Sequence, residues 1–333
     1  MELKLKEGWT GTRSKVIVFV LTVVISVISA LLMTFGLFLV PLMIAAFVLL
    51  FILEQGKKKV FSIVASSLSI ILDFVFNGIF SASALTAVLA AFIIYLSLTR
   101  GFFTKGEAAL AVTALISVII AVLLIFAAFY IVGTVDIALA LDYYSDLTDN
   151  MREIWISTME EHIAKNPNTE FSQIMTPEVT VAVFDSCVNM LFSVIGILAF
   201  LLTGLAFKLL SALLSLFLVD KKQLSGWSFS LSRIFGYFYL GLYVLRIFLS
   251  GTDVASLVVL NLMNVFMFIF AYIGFKLACS VLSIRMKNKS SAALIVIFAC
   301  ILFYSFAISV LSFLGVFAAG LKEKLSGDDT DFV

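Results

Sequence analysis

Asp73 and Asn77 stand four residues apart inside an apolar run, in the stretch SIILDFVFNG. Asp185 and Asn189 repeat that spacing in VFDSCVNMLF. Four residues is about one helical turn, so each pair shares a helix face. Arg246 follows Tyr239 and Tyr243 at four- and three-residue steps, and Asn261 and Asn264 are three apart. These nine residues have the chemistry to hold a small polar solute. Carboxylates and a guanidinium take groups of opposite charge, carboxamides both give and accept hydrogen bonds, and phenols donate. Arg246 is the natural partner of Asp73 or Asp185, because its planar fork takes a carboxylate bidentately. Spacing alone does not say which acid it meets.

Such residues are costly where they stand. A charge at mid-bilayer costs roughly 2.5–3.5 kcal/mol on insertion scales. Two acids and one arginine at matching depth therefore predict a shared polar pocket. The competing reading is structural: an ion pair that only staples helices, with Arg246 snorkelling to the surface five residues before Gly251.

The elements that must position these groups are membrane spans. Of 333 residues 62% are apolar and only 13% charged, against about half and a quarter in a soluble domain. Apolar runs of span length recur from end to end. Backbone groups in hydrocarbon must pair within their own segment, and a barrel's alternation is missing, so the fold class is an all-α polytopic bundle. Nine spans are expected, near 16–36, 40–54, 60–77, 79–98, 108–132, 177–219, 232–250, 254–276 and 292–319. Gly36 and Pro41 mark the first break and Asn77-Gly78 the joint between spans three and four. The 177–219 stretch is too long for one crossing, so it projects beyond the core or bends near Gly196 or Gly204.

One segment differs. Residues 134–176 are acidic, with Arg152 and Lys165 the only basic side chains. Leu141, Tyr144, Leu147, Met151, Ile154, Trp155, Thr158 and Ile163 recur at mostly three- and four-residue steps, which reads as an amphipathic helix capping the bundle. Thr176-Pro177-Glu178 reads as a helix start: N-cap, proline at N1, acid in the first turn. The whole is one integral membrane domain, 1–333. It divides into five spans in 1–133, the acidic segment 134–176, four spans in 177–320, and an acidic tail at 321–333.

Lys and Arg set the orientation. With the N-terminus cytoplasmic, the cytoplasmic segments hold 17 of the 22 basic residues. The 134–176 segment and the C-terminus then face outward. Asp73 falls about 20 Å above the inner surface, and the other polar groups reach a similar outer depth.

Catalytic signatures are missing: the chain has no phosphate-binding loop, no HExxH and no GxSxG. A single histidine, His162, and three scattered cysteines, Cys187, Cys279 and Cys300, build no His-based metal site and no disulfide framework. The expectation is therefore no enzyme, no metal and no cofactor. A net charge of +1 gives no reason to expect nucleic acid. Expected partners are the lipid bilayer, a small polar solute, and a transporter energising module or other membrane protein.

The order of features carries a resemblance. Short apolar hairpins precede the acidic DNMREIWISTMEEHIAKNPNTEFSQIMTPEV. Then come a Trp-led entry, LSGWSFSLSRIFGYFYLGLYVLRI, a span with LNLMNVFMFIFAYIGFKLACSVL, and an ending LSFLGVFAAGLKEKL. This resembles the YybS-like family of bacterial polytopic membrane proteins, which is similar in fold to the substrate-binding S components of energy-coupling-factor transporters. Ser228-Phe229-Ser230 departs from the family's Pro after the Trp, and Ile273-Gly274 from its Gln-Gly. The resemblance implies a bacterial cell-membrane protein that binds a solute for a transporter. The alternative expectation is a scaffold or accessory protein of cell-envelope or sporulation processes.

Overall fold

The computed structural model describes residues 5–9, 11–32, 38–55, 58–78, 82–100, 104–167, 169–218, 231–249, 254–286 and 289–325. Among the described residues the chain is helical, apart from one bridge between Leu5 and Leu218. We number the helices α1 (Thr12–Leu31), α2 (Val40–Leu53), α3 (Val60–Asn77), α4 (Ser83–Arg100), α5 (Lys105–Val132), α6 (Ile137–Lys165) and α7 (Glu170–Ile174). They continue with α8 (Pro177–Asn189), α9 (Leu191–Phe217), α10 (Arg233–Phe248), α11 (Val254–Met286), α12 (Lys289–Leu302) and α13 (Tyr304–Leu325). Six of them, α1, α3, α4, α5, α9 and α11, are long and apolar enough to cross a membrane, and three shorter apolar segments lie in α2, α12 and α13. The expected last span, 292–319, is two helices with a turn at Phe303 between them.

Two hydrophobic cores are built around different helices. In the first, α2 is apolar on every side, and 13 of its residues are buried. A helix of that kind has to be enclosed, and α1, α3, α4 and α9 enclose it. Pro41 sits in its first turn, where the missing N–H costs nothing. Small residues give α4 its packing face: Thr86 and Ala90 are buried beside Ala84, Ala87 and Ala91. Between α1 and α3 runs a seam of small hydroxyls. Ser69 donates to Ser26 at 2.8 Å, with Thr22, Ser29 and Ser62 also buried along it.

The second core joins Phe200 of α9 to Tyr239, Ile269, Phe270 and Ile273, with Ala319 of α13. Here α11 and α13 cross antiparallel at backbone contact. A Cβ on Gly274 would lie 1.9 Å from the Leu311 carbonyl oxygen, and one on Gly315 would lie 1.9 Å from that of Phe270. Only glycine permits that approach. Since α9 also gives Ala199, Ala206, Leu210 and Leu214 to the first core, it forms the wall the two share.

The acidic segment forms α6, a helix of 29 residues. Gly133 ends α5 in the left-handed region at φ 76°, and α6 folds back so that the Tyr144 hydroxyl donates to the Leu124 carbonyl. Burial raises the Tyr144 pKa, and Tyr143 beside it adds to the rise. The expected apolar stripe is split. Tyr144, Trp155 and Ile163 are half-buried, while Leu147, Met151 and Ile154 are exposed. The start of α8 is as read from its residues: the Thr176 hydroxyl accepts from the Val179 N–H, and Pro177 stands at the first position.

Candidate functional site

Asp73 lies in the last turn of α3 and is 3% exposed. One carboxylate oxygen accepts from the Ala84 backbone N–H at 2.8 Å and the Ser83 hydroxyl at 3.0 Å, and the other accepts from the Asn77 amide at 3.1 Å. Asn77 also donates to the Ala30 carbonyl at 3.0 Å. Ser83 and Ala84 open α4, whose first N–H groups have no partner within the helix. The carboxylate therefore caps the positive end of the next helix. Hydrogen bonds of this kind help to satisfy a buried carboxylate.

Glu54 repeats the device one hairpin earlier, and sequence reasoning missed it. It follows the last residue of α2, is 1% exposed, and accepts from the Phe61 N–H at 3.0 Å and the Ser62 N–H at 2.8 Å. The Ser62 hydroxyl adds a bond of 2.5 Å. The signal is visible in hindsight. In each case an acid ends one apolar helix and a serine eight to ten residues on opens the next.

The expected pairing of Arg246 with Asp73 or Asp185 is corrected. Arg246 gives one guanidinium nitrogen to the Leu249 carbonyl at 2.6 Å and to the Ser256 hydroxyl at 2.7 Å. It stands in the last turn of α10, where orphan carbonyls favour a cation, and it ties that end to the first turn of α11. Asp185 instead meets Arg152 of α6 at 2.9 Å, with both side chains partly exposed, 38% for the arginine and 47% for the acid. Trp155, one turn on, packs against Phe184 with ring centroids 6.5 Å apart. This charged and aromatic contact docks α6 on α8. At the start of α8, the Thr176 hydroxyl and backbone hydrogen bonding hold the Glu178 pKa below its usual value.

Three other expected residues, Asn189, Asn261 and Asn264, surround a break in a helix. The chain turns at Met190, between α8 and α9, and α9 runs unbroken through Gly196 and Gly204. Of the two alternatives offered for 177–219, a bend near Gly196 or Gly204 is therefore corrected: the helix boundary lies at Met190. Gly196 serves packing: a Cβ there would lie 2.6 Å from a Val265 methyl of α11.

In a continuous helix the Ser193 N–H would donate to the Asn189 carbonyl, four residues back. Here the Asn261 carboxamide of α11 stands between them. Its oxygen accepts from the Ser193 N–H at 2.7 Å, and its nitrogen donates to the Asn189 carbonyl at 2.7 Å. One side chain thus replaces one rung of the ladder, a recognised cause of helix kinks. The same oxygen takes the Ser193 hydroxyl at 2.7 Å, and the same nitrogen reaches the Leu257 carbonyl at 2.9 Å. Asn264 adds a longer contact to the Ser193 hydroxyl at 3.4 Å. Asn261 is 7% exposed, so the arrangement is an interior one.

The structure therefore brings Asn189, Asn261 and Asn264 together, and separately Asp73 with Asn77. Tyr239 is buried in the second core, with its hydroxyl 3.2 Å from that of Ser312. Tyr243 neighbours it edge-on and is exposed. Among the described residues no group of three metal-binding side chains occurs.

A family model described as Predicted membrane protein (DUF2232) matches residues 16–317, and the chain belongs to that family. No curated protein and no solved structure matches the chain.

Proposed function

We propose that this member of the DUF2232 membrane proteins binds a small polar solute at the break between α8 and α9, as the substrate-binding component of a transporter. One observation carries the reading: an apolar helical stretch is interrupted where Asn189, Ser193, Asn261 and Asn264 converge. Non-helical backbone at membrane depth is tolerated where it is enclosed by protein or lines a cavity. In transporters, discontinuous helices mark substrate sites near the bilayer midplane. The groups at the break, an N–H, a carbonyl, a hydroxyl and two carboxamides, are those a polar solute would use. The bias of Lys and Arg supports a cytoplasmic N-terminus in a bacterial cell membrane, with α6 and the break toward the outside. The likeness to S components of energy-coupling-factor transporters belongs to this same reading, and so does an energising partner.

Purified protein in lipid nanodiscs tests it against a panel of small zwitterions, anions and neutral amides. The expected result is a saturable rise in thermal stability with one member, following RT ln(1 + [L]/Kd). Asn264→Ala should abolish the rise while leaving the unliganded protein nearly as stable, because its one contact is long. A flat response across the panel would remove the reading. A scaffold or accessory role is the second reading. It is favoured by the use of Glu54, Asp73 and Arg246 as helix caps.

A further inference from the structure

Two buried donors in the seam between α6 and α8 have no partner among the described residues: Nε of Arg152 and Nε1 of Trp155. They are three residues apart on α6, a spacing that places side chains on one face. The contacts place both on the face toward α8, since Arg152 touches Asp185 and Trp155 lies against Phe184, its chain neighbour. Buried donors are nearly always satisfied, so two together call for a cause.

The guanidinium supplies one. Its Nε–H and one Nη2–H point along the same edge, which is the edge that takes a two-oxygen anion side-on. Asp185 uses only half of that edge: one of its oxygens is 2.9 Å from Nη2, and Nε is left over. Asp185 thus holds Arg152 by a single bond, on an arginine shaped for two. The Trp155 N–H is a further unpartnered donor on the same face of α6.

We propose that Arg152 and Trp155 receive a carboxylate, with Asp185 occupying part of its place until it arrives. The incoming carboxylate takes both Nε and Nη2, Trp155 gives it a third hydrogen bond, and Asp185 is released to water. That exchange also undoes the only ion pair joining α6 to α8 among the described residues, so arrival of the anion loosens α6 from α8. The surroundings select charge as well. Asp149 and Glu153 flank Arg152 on α6 and are exposed, so a singly charged carboxylate is favoured over doubly charged phosphate. The inference rests on the solute-binding reading and names its chemical class, with the α6–α8 seam as the point of entry above the break.

Trp155 is its own reporter. With Trp9 and Trp227 replaced by phenylalanine, emission comes from Trp155 alone. Acetate, inorganic phosphate and phosphatidylglycerol nanodiscs are compared as probes on the full-length protein, and far-UV circular dichroism checks each variant's fold. Acetate should give a saturable change in emission. Asp185→Asn should tighten it by up to about fivefold, the range of a partly exposed pair. Arg152→Lys should weaken it, having charge but no fork, and Arg152→Gln should abolish it.

A change seen only in phosphatidylglycerol nanodiscs would replace the solute by a lipid headgroup and overturn the proposal. So would silence of Asp185→Asn toward every probe. If that silence coexists with a thermal shift from a neutral amide in the solute panel, only the carboxylate site falls. If the panel is silent too, the solute-binding reading falls with it.

Discussion

Replacing Asn261 by leucine tests the account of the helix break most directly. The carboxamide makes four hydrogen bonds of 2.7–2.9 Å, two through its oxygen and two through its nitrogen. Side-chain hydrogen bonds within membrane proteins average about 0.6 kcal/mol and reach about 1.7, so four of them are together worth about 2.4 kcal/mol at the average and at most about 7. The leucine variant has two ways to respond. If the break persists, the Ser193 N–H and the Asn189 carbonyl stay buried without partners, and each costs about 1–3 kcal/mol. If the helix straightens, those two groups bond each other and part of the loss returns, but α8 must swing relative to α9 and pull on its contact with α6. Unfolding by sodium dodecyl sulfate in mixed micelles measures the loss, and amide exchange at Ser193 separates the two responses: it accelerates with a persistent break and slows with a straightened helix. A loss below about 1 kcal/mol with unchanged exchange at Ser193 would refute the claim that Asn261 holds the break.

Further expectations concern the helix ends, the helix crossing and the topology. Asp73→Leu removes the cap of α4 and should cost about 1–2 kcal/mol. Asp73→Asn, which keeps one acceptor for the Ala84 N–H, should cost less in the same titration. Gly315→Ala drives a methyl group into the Phe270 carbonyl, so α11 and α13 must part; a stability loss of roughly 3 kcal/mol or more is expected. Glu178 has a lowered pKa in the fold. Its contribution to the first turn of α8 is complete above the ordinary carboxylate value and fades as pH falls through the depressed one. Amide exchange at Val179 and Thr180 should accelerate only once the pH has fallen below the ordinary glutamate range. For orientation, a cysteine at position 58 should be shielded from an impermeant thiol reagent on intact cells while one at 150 reacts. The opposite pattern would invert the topology.

What the residues disclosed follows the range over which each interaction acts. Hydropathy runs gave helices at nearly all the expected places, and Thr176-Pro177-Glu178 announced the start of α8, because caps are made within one turn of chain. The partners of Asp73 were also near in sequence, at Asn77, Ser83 and Ala84, yet reading every intramembrane acid as half of an ion pair hid the cap. Arg246 was misread for the same reason: Leu249 and Ser256 lie three and ten residues away. The break at Met190 was not legible at all. No proline or glycine marks it, and its cause is a side chain 72 residues from Asn189 on another helix. Arg152 and Trp155 sat within an expected amphipathic stripe or beside it, but which edge of α6 meets α8 depends on rotation, and a periodicity does not fix that.

The two acid caps have a consequence for how the protein is made. Glu54 and Asp73 both point forward along the chain, to residues synthesised later. When α3 emerges, its aspartate has Asn77 at hand but lacks its capping groups until Ser83 and Ala84 follow, and until then it is an incompletely satisfied charge in a setting where a bare one costs roughly 2.5–3.5 kcal/mol. We expect α3 to linger beside the insertion machinery and to enter the bilayer together with α4, as a hairpin whose fastening is already closed. Nascent chains halted just before and just after residue 84 should differ in how readily α3 is released to lipid.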